Sequence, residues 1–378
     1  MTKVRHHPFF TMHRKKVDGR KDERKDENKD DRKKEHKGDG KDNKRKEERY
    51  DERREFLRQT ASDTRKELPR IASQYRTFNT QACTLYMLPV VLLSSIATTN
   101  PPDLPPLDPS QCPDRTKSQS IASFVPPVSH KTAIRVVNGD TLDTALSLCQ
   151  GLTVRDLVQS QAQLINLNAN GSTTPSAKPT LVLNLASDIH AGGGWHNGAM
   201  AQEEELCYRT TLSHSLHRYH YPLHPRSALY APNVSLFRSS FTTGHTRFQE
   251  PDALNLPALS VVSVAALRQP ELTADGEDFA DDTDRDITMG KIRLVLRVAA
   301  TEGHTKLVLG ALGCGVFRNP PAAVAKCFLD VFRESEFAGG WWDEVVFAVM
   351  DNAAQGKGGK DGSGNFGVFY RALDGQLV

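Results

Sequence analysis

Three consecutive glutamates, Glu203, Glu204 and Glu205, follow Gln202 and stand a short spacer beyond a triple glycine, Gly192-Gly193-Gly194. Cleavage of a glycosidic bond needs a carboxylic acid to protonate the leaving oxygen and a base to activate water against an oxocarbenium-like centre. Adjacent glutamates suit that chemistry. Successive helical residues point about 100° apart, so Glu203 and Glu204 cannot do the same job. One can meet the glycosidic oxygen while the other holds ribose hydroxyls. A second glycine run, Gly313-Cys314-Gly315-Val316-Phe317-Arg318-Asn319-Pro320-Pro321, carries no acid but has the make-up of a phosphate cradle.

Both runs need elements to hold them. Thr180 to Asn184 is a short apolar run that reads as a buried strand leading into the first loop. From Gly198 onward helix formers take over, with Leu206, Thr210 and Leu216 spaced to bury one side. Lys306 to Gly310 reads as a second buried strand, and Ala322 to Phe332 as the helix that the second loop opens. Pro320 or Pro321 fits the first turn of that helix without losing a hydrogen bond. Ordinary readings stand beside these: acidic residues in a first helical turn complement the helix dipole, and glycine runs make tight turns. Neither loop satisfies G-x-G-x-x-G, because Asn197 and Arg318 stand where the third glycine is needed, and no Gly-Lys-Ser/Thr occurs. Dinucleotide-fold dehydrogenases and P-loop NTPases are disfavoured.

The triple glycine, the seven-residue spacer Trp195 to Ala201 and Gln202-Glu203-Glu204 resemble the signature of the microbial and fungal type of poly(ADP-ribose) glycohydrolase. Ile134 to Asp143, Leu206 to Leu212, Tyr221-Pro222 and Leu309 to Pro321 resemble that family in the same order, over about residues 132 to 376. The resemblance implies a macrodomain-like three-layer α/β/α sandwich with a mixed central sheet. It implies an enzyme that releases ADP-ribose from the polymer, with Glu204 as catalytic acid and then base and Glu203 on the ribose hydroxyls. Glu205 has no role in the family pattern and reads as a solvated helix residue. Gly192, Gly193 and Gly194 are then expected to orient the scissile ribose. Gly313, Cys314, Gly315, Val316 and Phe317 are expected to hold the diphosphate, and Asn184, Gln202 and Asn319 complete the expected substrate-binding set. Asp140 is a candidate adenine contact or a helix N-cap ahead of Thr141 to Leu148. Phe366 is a candidate stacking partner or a core residue, and Trp195 a lid or a packing anchor. Rival readings are a macrodomain reader that binds ADP-ribose without cutting it and a hydrolase of mono-ADP-ribose. An intact Gln-Glu-Glu counts against the reader.

Length and composition frame the rest. At 378 residues and 38% hydrophobic the chain can bury a large core. Residues 1–50 are mostly charged, with few apolar side chains, and read as a disordered tail; Lys44-Arg45-Lys46 is a weak nuclear-signal or phosphate-contact pattern. Residues 51–70 resemble the family's opening helix, ended by Pro69. Residues 71–130 read as a Pro-rich insertion or linker, and 131–378 as the catalytic domain. Beyond the first loop, Leu229 to Pro232, Val234 to Phe237, Leu259 to Ala265 and Val345 to Met350 read as strands, Met289 to Ala300 as a helix and Glu271 to Asp286 as an acidic loop. The apolar run Leu85 to Ala97 is shorter than the roughly 20 residues that span a bilayer and lies too far from the N-terminus for a signal peptide. No membrane association is expected.

Six cysteines, at 83, 112, 149, 207, 314 and 327, show no C-x-x-C spacing and argue for reduced thiols in an intracellular protein, nuclear or cytoplasmic. His214, His217, His220 and His224 recur at helix-like intervals but lack a carboxylate or thiolate set, so no metal is expected. The glutamate chemistry requires no cofactor. The net charge of +3 is too small to steer a polymer by itself. A monomer is expected, and the resemblance implies removal of ADP-ribose in the DNA damage response.

Overall fold

The structure, a computed structural model, describes residues 31–89, 104–112, 131–168 and 178–378. Seven strands form one mixed sheet: β1 (Thr84–Met87), β2 (Ile134–Val137), β3 (Leu181–Leu185), β4 (Ser227–Ser235), β5 (Ala258–Val264), β6 (Lys306–Leu309) and β7 (Glu344–Ala348), in the spatial order β1-β4-β5-β3-β6-β7-β2. The pairs β5–β3, β3–β6, β6–β7 and β7–β2 are parallel, and β1 and β4 complete one edge antiparallel. Side chains alternate across the sheet as the pleat dictates. Leu181 and Leu183 of β3 join one core with Ile292, Val295, Phe328 and Phe369, while Val182 joins the other with Leu142, Leu206 and Leu57.

Those two cores define the outer layers. On one side lie α5 (Asp282–Thr301), α6 (Pro321–Phe332) and α7 (Asn365–Leu373); on the other lie α2 (Thr141–Cys149), α4 (Gln202–Arg209) and the C-terminal half of α1 (Asp31–Ser73). A smaller cluster joins Leu68, Ile71 and Phe78 to Val154 and Leu157 of α3 (Val154–Asn168). The three-layer expectation is met.

Several boundaries differ from the sequence reading. Helix α1 starts at Asp31, within the stretch expected to be a disordered tail to residue 50, and residues 1–30 lie outside the described residues. Pro69 does not end it; the helix runs on to Ser73, because Leu68 and Ile71 are held in the third cluster on either side of the proline. The 71–130 stretch is not only a linker: Thr84–Met87 pairs with β4, and Tyr75 and Phe78 are core residues. Most of its Pro-rich part, residues 90–103 and 113–130, lies outside the described residues, as does 169–177 in the Gly/Ser/Thr/Pro loop before β3. The two short strands expected at 229–232 and 234–237 are one strand with a register shift between Ala231 and Val234, where Pro232 has no N–H for the ladder. Helix α5 begins inside the expected acidic loop because Asp281 caps it, accepting from Thr283 N at 2.8 Å. Among the described residues no helix is long and apolar enough to cross a membrane.

Candidate active site

Strands β3 and β6 are neighbours and parallel, so the loops that leave them emerge at the same end of the sheet, where α/β proteins place ligands. The first loop carries Gly192 to Gly194 and the second Gly313 to Phe317. Gln202, the first residue of α4, ties that helix to β3: its Oε1 accepts from Leu185 N at 2.9 Å and its Nε2 donates to Leu183 O at 2.7 Å. The Gln202 side chain thus anchors the helix start rather than facing a ligand. This anchor aims Glu203 and Glu204 at the glycine turn.

Both carboxylates are buried. Glu203 accepts from Ser187 N at 2.7 Å and from Asn184 Nδ2 at 3.3 Å, while Glu204 Oε1 accepts from Gly194 N at 2.8 Å. Asn184 also donates to Ser263 Oγ across the β3–β5 pair, and its Oδ1 has no partner among the described residues. Burial pushes the Glu203 carboxyl up to about 8, with the nearby Glu204 charge adding to it and hydrogen bonds from Ser187, Asn184 and Gly192 opposing it. Glu203 is therefore a neutral hydrogen-bonding group at pH 7. Its folded pKa lies above the unfolded value of 4.5, so the stability it contributes is full below about pH 4.5 and is lost as pH rises through about 8. Thermal unfolding between pH 5 and pH 9 should show the wild type losing stability, on the order of a few kcal/mol, and Glu203→Gln losing less. Parallel curves for the two proteins would refute this.

The glycines are needed where they stand. Gly193 has φ +60°, and a Cβ there would lie 2.3 Å from Glu204 Oε1. Gly192 has φ +74° and is pressed against Cys207 Sγ and the Trp195 ring. Trp195 is 2% exposed, and Tyr208 Oη donates to its carbonyl at 2.9 Å, which makes it the packing anchor and not a lid. Helix α1 closes the loop from outside: Arg54 Nε donates to Asn197 O at 3.0 Å, and the backbone at Arg54 comes so close to Gly198 that a Cβ would meet it at 2.2 Å.

The second loop is self-braced. Asn319 Nδ2 donates to Leu267 O at 2.7 Å and reaches the carbonyls of Gly313 and Phe317 at 3.3 Å, so its amide shapes the loop. Gly313, at φ +75°, packs against Ala266 and Asn319, whereas Gly315 has open space around it. Val316 is exposed, Phe317 lies under the Arg268 guanidinium at 4.2 Å, and Cys314 is buried, which raises its thiol pKa. Cys314 O accepts from Asn365 Nδ2 at 3.3 Å, linking the loop to α7. Phe366 packs in the core beside the Tyr370 ring, the core alternative of the sequence reading.

Asp140 is the N-cap of α2, accepting from Leu142 N and Asp143 N at 2.9 Å, and it also pairs with Arg209 Nη1 at 2.6 Å. All three contacts fall on Oδ1. Glu205 is not a solvated residue: Phe241 N donates to it at 3.1 Å and His245 Nε2 lies at 2.9 Å, because β4 and the turn after it fold over that face of α4. The histidines at 214, 217, 220 and 224 do not share a helix face. They sit on separate short 3-10 turns and in loops, where His214 meets Thr80 Oγ1 and His217 meets Gln81 O. Sequence reasoning missed Ser187, Arg209 and His245, because their partners come from distant parts of the chain.

Residues 109–239 match the family described as the microbial-type PARG catalytic domain. The PARG match contains Asp140, Asn184, the triple glycine and Gln202 to Glu204, and it stops before the second loop. No curated protein sequence matches. Among solved structures, the chain resembles the poly(ADP-ribose) glycohydrolase of Thermomonospora curvata at 23% identity, covering 84% of this chain and 98% of that one with a TM-score of 0.53. The same enzyme bound to the inhibitor ADP-HPD aligns at 22% identity over 83% and 98%, with a TM-score of 0.52. A mutant PARG from Deinococcus radiodurans in complex with ADP-ribose aligns at 27% identity over 65% and 85%, with a TM-score of 0.47. The Thermomonospora structures establish a shared fold over most of the chain.

Proposed function

We propose that this chain is a poly(ADP-ribose) glycohydrolase that cleaves the ribose-ribose O-glycosidic bond from the chain end and releases ADP-ribose. The observation that carries the reading is the pair Glu203–Glu204, buried at a helix start and tied by Ser187 N and Gly194 N to a glycine turn that leaves no room for another side chain. Glu204 protonates the glycosidic oxygen as its bond to the anomeric carbon breaks, leaving an oxocarbenium-like ribose. Water then attacks that carbon and gives its proton to the Glu204 carboxylate, so the acid is restored and both products carry hydroxyls. Glu203, neutral up to about pH 8, holds ribose hydroxyls. The loop from Gly313 to Phe317 presents backbone N–H groups to the diphosphate.

This reading extends to a monomer acting on polymer attached to protein. Six cysteines without C-x-x-C spacing agree with a reducing compartment, nuclear or cytoplasmic, where removal of ADP-ribose would serve the DNA damage response. The test is release of ADP-ribose from auto-modified polymer and, in parallel, from a mono-ADP-ribosylated protein. Release from the polymer supports the proposal. Release only from the mono-modified protein makes the chain a mono-ADP-ribosyl hydrolase, and tight binding of ADP-ribose with no release from either makes it a reader.

A further inference from the structure

Gly193 and Gly194 border more than the carboxylates. They also line a cleft of about 680 Å³ whose other walls carry Arg65 of α1, His190 and His196 of the glycine loop, and His214, Arg218 and Tyr221 of the turns after α4. The charge in this cleft is one-sided. Neither Arg65 nor Arg218 has an ion-pair or hydrogen-bond partner among the described residues, and no carboxylate is among the lining residues. Elsewhere the arginines near the site are paired: Arg209 with Asp140, Arg238 with Asp63, Arg268 with Asp188. Two exposed guanidiniums, from α1 and from the turns after α4, thus border one cleft, a lining that favours an anion.

Further observations narrow the ligand. Ser213 Oγ and Tyr221 Oη are buried without a hydrogen-bond partner among the described residues, and both residues line the cleft. His196 lines the cleft with them, and its protonation is disfavoured by its burial and then by the Arg65 and Arg218 charges. Ile189, half exposed, gives the cleft an apolar surface. Cations, hydroxyls and apolar area together suit a nucleoside diphosphate better than an inorganic ion.

We propose that this cleft is a second subsite, in which Arg65 and Arg218 hold the diphosphate of the ADP-ribose unit on the leaving side of the scissile bond. The proposal rests on the glycohydrolase reading, since it takes the neighbouring unit to pass over Gly193 and Gly194. It assigns the arginines a role in polymer binding that the terminal ADP-ribose does not need.

The test is the full chain carrying Arg65→Gln and Arg218→Gln together, its folding checked by thermal unfolding. KM and kcat on long polymer are measured beside the Kd values for ADP-ribose and for a purified short oligomer. A roughly ten-fold or larger rise in polymer KM and in oligomer Kd is expected, since hydrogen bonds to charged groups are each worth about that factor. The salt dependence of KM should weaken as well, while kcat and the ADP-ribose Kd hold. An unchanged polymer KM overturns the proposal. So does an equal loss of ADP-ribose affinity, which would place the arginines with the terminal unit. If the wild type cuts no polymer, the glycohydrolase reading has failed, and the oligomer measurement still decides the subsite. It then survives only if the wild type prefers the oligomer to ADP-ribose and the double variant loses that preference.

Discussion

Glu204→Gln is expected to lower kcat for release of ADP-ribose from polymer by roughly a thousand-fold, within the range that general acid-base catalysis supplies. The substitution keeps the shape of the side chain and an oxygen able to accept from Gly194 N, the contact made at 2.8 Å by Glu204. What it removes is the titrating proton. Thermal stability should therefore stay within about 1 kcal/mol of wild type, and ADP-ribose should bind with similar affinity in calorimetry. Loss of kcat with binding retained is the signature of a group acting in the transition state. Full hydrolysis by the variant would remove Glu204 from the mechanism and shift attention to Glu203, whose raised pKa leaves it protonated at neutral pH.

Gly193→Ala should be nearly as damaging without touching a titratable group. Its Cβ would meet Glu204 Oε1 at 2.3 Å and Glu203 Oε2 at 3.0 Å, so the carboxylates must move. A displacement near 1 Å can cost about a hundred-fold in rate. The φ of +60° adds backbone strain of roughly 1 to 2 kcal/mol. Gly276→Ala separates the two causes, because Gly276 has φ +74° with nothing within 4 Å of a new Cβ. The expected outcome is a fall in melting temperature for both variants, larger for Gly193→Ala because of the added clash, and a loss of kcat for Gly193→Ala alone. Equal activity in the two would mean that the close approach at Gly193 is not what aligns the carboxylates.

The parts of this site that were legible in the sequence are those that depend on neighbours in the chain. Gly192 to Gly194, Gln202 and the two glutamates are a local pattern, and β3, β5 and β6 each announce themselves as short apolar runs. The parts that were not legible depend on what arrives from far away. Glu205 is solvated in a lone helix and becomes a partner of His245 only because the chain after β4 folds over it. Arg209 looks like an ordinary basic residue at a helix end, yet it is fully buried between Asp140 and Asp143. Thr84 to Met87 lies in a poorly patterned stretch, and its strand exists because β4 offers it an edge. Pro69 was overruled in the same way, by packing on both sides of it.

The strand order has a consequence for how the molecule is made. Residues 109–239, which carry the family match and both glutamates, contain β2, β3 and β4, and no two of these strands are neighbours in the sheet. Strand β2 leaves the ribosome early and must wait for β7, some two hundred residues later, and β3 must wait for β5 and β6. Pairings this distant in sequence are slow to close. The glycine and glutamate motif is thus translated well before β3 finds either of its neighbours, and a polypeptide ending near residue 239 would carry the motif with only the β1–β4 pair of the sheet.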